Sequence, residues 1–192
     1  MPRLFSGLSL PDPVKDQIAK LFQPLPGTRW IEASDLHLTL RFAGDMDNRM
    51  ADEFAHVLNE ITHIRVFNMR LKGLGTFGNR DPRLIWAGVE AGPELESLFR
   101  AHETAARAAG LPPARRAFHP HITIARLRHP RIEALARFLQ RNAGFQTKSF
   151  LISHATLFSA KPKTGGGPYV VEQNIPLAGA LALSENTQGL EF

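Results

Sequence analysis

Cysteine is absent from this 192-residue chain, tyrosine occurs once and tryptophan twice. The missing thiols exclude a disulfide framework, a thiolate metal site and thiol redox chemistry, and they suit a reducing cytoplasm, where the chain is expected to act. Long apolar runs are lacking too. The N-terminal MPRLFSGLSLPDP has no apolar signal core, and the greasiest stretch, IPLAGALAL at 175–183, is well short of the roughly 20 residues that span a bilayer. Neither an export signal nor a membrane anchor is read, and no membrane partner is expected.

What is present is a hydrophobic content of 43%, enough for a substantial core, and a formal charge of +5 carried mostly by arginine. Arginine's planar fork grips phosphate at two points, so an anionic partner fits the charge; solvated single arginines fit it equally well until their spacing is considered. Arg115, Arg116, Arg126, Arg128 and Arg131 fall within seventeen positions, around the tetrapeptide HITI at 121–124.

Periodicity organises the chain. RLFSGLSL (3–10) alternates like a strand, and Asp12-Pro13 offers an N-cap and a first-turn proline for a helix to about Phe22. A strand containing HLTLRF follows a Pro/Gly turn, then a helix capped by Asp47 with a stripe of Met50, Phe54, Val57, Leu58 and Ile61. Strands near 65–74 and 83–90 come next, joined by GLGTFGNRDP, whose composition is that of a turn. A helix from Pro93 stops at Gly110, the HITI strand leads to a helix carrying Ile132, Leu135, Phe138 and Leu139, and strands near 148–158 and 168–177 complete the pattern. The unit strand, helix, strand, helix, strand therefore occurs twice, about 3–82 and 83–177, as one bilobal domain over 1–177. Its first strands start 80 residues apart. The tail, 178–192, lacks a pattern and is expected to fray.

The second strand of each unit carries His-x-Thr-x: HLTL at 37–40 and HITI at 121–124. Residues i and i+2 of a strand share a face, so His37 pairs with Thr39 and His121 with Thr123, while Leu36, Leu38, Leu40 and Phe42, like Ile122 and Ile124, turn to the core. One His-x-Thr on a strand is commonplace. Two at matching places in a repeated unit, related by an approximate two-fold, bring two imidazoles and two hydroxyls to one groove. That set suits a phosphodiester: displacement at phosphorus needs one group to take a proton from the attacking oxygen and another to give one to the leaving oxygen. Histidine's ordinary pKa near 6.5 allows one ring to be neutral and the other protonated, so no metal or cofactor is required. Thr39 and Thr123 can donate to the non-bridging oxygens, and Arg126 can neutralise the charge building there. Arg126 lies five positions after His121, however, and strict alternation aims it at the core; it reaches the groove only if the strand ends or bulges near Ala125.

RWIEASDLHLTLRFAGDMD (29–47), GLGTFGNRDPRLIWAGVE (73–90) and FHPHITIARLR (118–128) resemble the bacterial and archaeal RNA 2',3'-cyclic phosphodiesterases, or 2'-5' RNA ligases, of the two-histidine phosphoesterase superfamily. The resemblance runs from about residue 3 to 177. It implies an α+β fold of two pseudo-symmetric β/α lobes with antiparallel sheets facing a central groove, and hydrolysis of RNA-terminal 2',3'-cyclic phosphate to a 2'-phosphate. It also implies that His37 is the proton donor, that His121 is the acceptor, and that Thr39, Thr123 and Arg126 contact phosphate. Ala125 stands where the family usually has glycine. No nucleotide cofactor is implied, because a 5'-hydroxyl can replace water and the strained ring drives 2'-5' joining. The partners implied are RNA or oligonucleotide ends with a cyclic phosphate, and a monomer is expected. A non-catalytic RNA-binding module, or a phosphodiesterase for another small cyclic nucleotide, is the alternative.

Other features invite weaker readings. His119-Pro-His121 has the spacing of a strand metal site, but no carboxylate stands beside it and arginines surround it. His56, His63, His102, His129 and His154 are read as solvated. GLGTFG and KTGGGPY lack the strand-to-helix context of a phosphate loop and read as turns, the second also as a flap whose Tyr169 stacks on a base. Trp30 and Trp86 read as core aromatics.

Overall fold

In the computed structural model, which describes residues 1–61, 63–78, 81–114, 117–161 and 167–180, the repeated order becomes nine strands and four α-helices. They run β1 (Arg3–Ser9), α1 (Asp12–Ala19), β2 (Thr28–Trp30), β3 (His37–Asp45), α2 (Asn48–Asn59), β4 (Phe67–Phe77), β5 (Leu84–Ala91), α3 (Pro93–Ala108), β6 (His121–Leu127), α4 (Ile132–Arg141), β7 (Phe150–Ile152), β8 (His154–Ala160) and β9 (Val170–Pro176). The fold is α+β. Its antiparallel sheet has the order β7-β4-β5-β6-β3-β1-β8-β9, with β2 beside β6.

The sheet is symmetric about its middle, where the two histidine strands β3 and β6 meet through one ladder pair, Leu38 opposite Ile122. Such a narrow seam lets the halves curl toward each other and leaves a groove between them. The sequence units are interleaved in space. β4, which follows α2 of the first unit, pairs with β5 of the second, and β8, which follows α4 of the second, pairs with β1 of the first. Each half thus holds strands of both units, so neither sheet half is continuous in sequence.

One apolar core backs the sheet. Leu38, Leu40, Ile122 and Ile124 are all buried with Phe54, Leu58, Leu98 and Phe138 from the helices. Full burial of one such side chain contributes about 1.5–3 kcal/mol, which pins the face each strand presents and hence holds His37 and His121 to the opposite one. Asp47 caps α2 as its sequence suggests, accepting from the Met50 amide at 2.8 Å.

Several expectations need correction. Asp12 is the first residue of α1 and caps nothing; Pro11 occupies the cap position, and the helix ends at Ala19 rather than Phe22. GLGTF is the end of β4, not turn: Gly75 lies where the Trp86 ring packs and a side chain would collide with it, so a glycine required by close approach imitates turn composition. The 148–158 run is two strands, β7 on β4 and β8 on β1. Ile132, at the start of α4, is exposed. The tail from 181, residues 163–166 of KTGGGPY, and Arg115 and Arg116 lie outside the described residues.

His102 is the largest departure. It is fully buried on α3 with Nδ1 2.8 Å from the Ser6 hydroxyl, and burial pushes its pKa down to about 3. An unfolded chain protonates this ring near pH 6.5, so its contribution to stability is complete above that pH and declines as the pH falls toward 3. His102→Gln should therefore lose stability less steeply on acidification, by about 1.4 kcal/mol per pH unit between pH 6 and 4 in denaturant titrations. An unchanged slope would show that the ring does not titrate as its burial dictates.

Candidate active site

The two histidine strands share one irregularity. In β3 the register runs Thr39 opposite Gly7, then Arg41 opposite Ser6, which makes Leu40 an extra residue; in β6 it runs Thr123 opposite Trp86, then Ala125 opposite Ile85, which makes Ile124 extra. Each bulge falls on the last position of its tetrapeptide. It puts two consecutive residues into the core, Leu40 with Arg41 and Ile124 with Ala125, and reverses the alternation beyond them. Phe42 and Arg126, both five positions after a histidine, consequently emerge on the groove face. The condition that sequence alternation sets for Arg126 is met, and the core position that alternation gives Phe42 is corrected: Phe42 is 46% exposed. Ala125 is fully buried beneath the bulge, where a small side chain fits.

The groove holds a cavity of about 390 Å³ lined by His37, Thr39, Phe42, His121, Thr123, Arg126 and Tyr169 with Phe5, Ile31, Asp35, Arg83, Leu84 and Leu127. All six residues singled out from the sequence therefore meet there. Arg128 and Arg131 are exposed and do not line it.

Backbone carbonyls orient both imidazoles. Nδ1 of His37 lies 2.7 Å from the Asp35 carbonyl, and Nδ1 of His121 lies 2.6 Å from that of His119. A carbonyl only accepts, so each Nδ1 carries a hydrogen and each Nε2 is the nitrogen left for chemistry. His37 Nε2 is 3.1 Å from the Thr39 hydroxyl. Among the described residues Thr123 makes no matching bond to His121. The rings are walled by aromatics: His37 by Phe5 at 4.7 Å and by the edge of Tyr169 at 5.1 Å, His121 by the edge of Phe77 at 5.0 Å.

Burial holds the pKa of both rings below the ordinary value, opposed in each case by the hydrogen bond to the carbonyl. His37 is lowered further by His121 and Arg126, and Asp35 opposes that; the charge of His119 adds to the lowering at His121. His119 itself packs on Phe77 and Trp86, and no cluster of three metal-ligating side chains occurs among the described residues.

A family model described as the 2'-5' RNA ligase superfamily matches residues 10–163. The chain belongs to this superfamily. Its relatives include proteins named RNA 2',3'-cyclic phosphodiesterase from Aeropyrum pernix, 33% identical over 75% of this chain and 81% of that one, and from Aquifex aeolicus, 30% identical over 79% and 82%. Among solved structures, Escherichia coli LigT complexed with 3'-AMP superposes with a TM-score of 0.73 at 26% identity, covering 92% of this chain and 99% of that one.

Three contributors to this arrangement escape a reading based on side-chain type. Asp35 and His119 act on the histidines through carbonyls, and the signal they leave is positional, each standing two residues before its histidine in DLH and HPH. Asp35 does more: its carboxylate accepts from the Tyr169 amide at 2.9 Å, tying the start of β9 to the turn that orients His37. Phe42 is the third, hidden by the bulge. Among the histidines read as solvated, His102 is the one that proves fully buried.

Proposed function

We propose that the chain opens the 2',3'-cyclic phosphate at the end of an RNA, leaving a 2'-phosphomonoester, by acid–base catalysis between two histidines without a metal. The observation that carries this reading is the pair of imidazoles, each fixed through Nδ1 on a main-chain carbonyl and each lining the same cavity beside a threonine and Arg126. The names of the relatives point to the same substrate, and 3'-AMP bound to E. coli LigT is a nucleotide with its phosphate on the ribose edge that a cyclic end uses.

In this mechanism the neutral His121 Nε2 takes a proton from water as its oxygen bonds to phosphorus. The P–O3' bond breaks on the far side, and O3' receives the proton from Nε2 of His37. Thr39, Thr123 and Arg126 hold the non-bridging oxygens, where negative charge grows. The two rings finish with exchanged protonation and reset through solvent. Acid and base are both supplied by the protein, so no step is left for a metal. An RNA 5'-hydroxyl in the place of water gives a 2'-5' phosphodiester by the same proton transfers.

The pH dependence of kcat/KM tests this. Activity requires His37 protonated and His121 neutral, and burial lowers both in the free enzyme. A lowered His121 keeps its lone pair to lower pH, and a lowered His37 loses its proton earlier as the pH rises. Hydrolysis of a 2',3'-cyclic nucleotide should thus give a bell whose maximum lies on the acid side of pH 6.5, unaffected by excess EDTA. A rate that climbs steadily into alkaline pH, or that EDTA abolishes, would place a hydroxide or metal-bound water where His121 is assigned.

A further inference from the structure

Beside the reaction cavity lies a second recess, about 230 Å³, which shares Asp35, Arg126 and Tyr169 with it and adds Arg29 and Ser34. We propose that Arg29 and Arg126 together form a second phosphate site, which takes the phosphate on the 5' side of the nucleotide being opened. The proposal rests on the reaction centre being the His37–His121 cavity.

The strand pairing carries it. β2 and β6 are antiparallel with Arg29 directly opposite Arg126. Residues so placed project from one face with Cβ atoms about 4.5–5.5 Å apart, and like charges there repel and destabilise the sheet. Neither guanidinium is relieved by an ion pair among the described residues. Glu32 also lines the recess without closing on either arginine, and one oxygen of Asp35 is engaged by the Tyr169 amide. An anion held between the two forks turns this repulsion into charge-assisted hydrogen bonds.

Position and rigidity fit a phosphate of the same substrate. Arg126 borders both recesses, whereas Arg29 borders the second alone. The two sites are therefore neighbours along one face, as successive phosphates are along one strand. Arg29 stands on a fixed platform: Trp30 stacks on Phe22 at 4.8 Å, meets Phe138 edge-on at 5.6 Å and donates to the Gln23 carbonyl at 2.9 Å. The backbone that carries Arg29 is thus fixed before a ligand binds. Ser34 supplies a hydroxyl at the recess wall.

The test compares adenosine 2',3'-cyclic phosphate bearing a 5'-hydroxyl with the same compound bearing a 5'-phosphate. Wild-type protein should open the 5'-phosphorylated substrate with a kcat/KM roughly tenfold higher, mostly through KM, as one charge-assisted contact allows. Arg29→Gln should bring the ratio of the two substrates toward one, and Arg29→Lys, which keeps charge but loses the fork, should retain part of it. In wild-type protein the ratio should also shrink with added salt, a readout that no variant's folding affects. Hydrolysis of the 5'-hydroxyl substrate with no preference for the 5'-phosphate would overturn the second site while leaving the reaction centre standing. So would an Arg29→Gln variant that slows both substrates equally. If neither substrate is opened, the failure lies with the reaction centre, and the second site falls with it.

Discussion

Replacing His37 or His121 by alanine should each lower kcat/KM on a cyclic-ended RNA by about 10²–10⁴-fold, the range attributed to a positioned general acid or base. The double variant should be little slower than either single one. In the proposed mechanism both imidazoles act in one transition state, on the attacking and leaving oxygens, so removing the second takes away a partner whose contribution the first replacement has already cancelled. Independent roles, such as one histidine binding and the other reacting, would instead give multiplying losses. Stability should change little, because both rings sit on the groove face and their alanine variants leave Leu38 and Ile122 in the core. Equal melting temperatures together with non-multiplying rate losses would separate a shared chemical step from simple disruption of the sheet.

The double His-x-Thr-x was legible because period-two alternation is a local property: buried aliphatics on one face of β3 and β6 dictate what the other face presents. Asp47 as a cap and Gly110 as the stop of α3, with φ of 86°, were legible for the same reason. Phe42 was misplaced because the bulge that reverses alternation comes from pairing with β1, and a strand's own sequence does not announce a register shift set by its neighbour. Gly75 misled in a related way, its purpose being to admit Trp86 from β5. The exchange of third strands between units depends on which edges meet in space. Carbonyl acceptors are present at every residue, and only the folded turn selects Asp35 and His119. His102 looked solvated because its partner, Ser6, is 96 residues away.

The identity of the product tests the account most sharply. A cyclic phosphate has two oxygens that can leave, and in-line displacement expels the one opposite the attacking water. In the proposed mechanism His121 is the base and His37 the acid, so the oxygen directed at His37 leaves with its proton, and the other keeps the phosphate. The resemblance to the RNA 2',3'-cyclic phosphodiesterases implies that this oxygen is O3', so the outcome is all or nothing rather than a matter of rate. Phosphorus NMR of an oligonucleotide with a 2',3'-cyclic phosphate, incubated with the protein in excess EDTA, should show the cyclic signal replaced by that of a 2'-phosphomonoester alone. A 3'-phosphomonoester, a mixture of the two, or a cyclic signal that persists until metal is restored would contradict it.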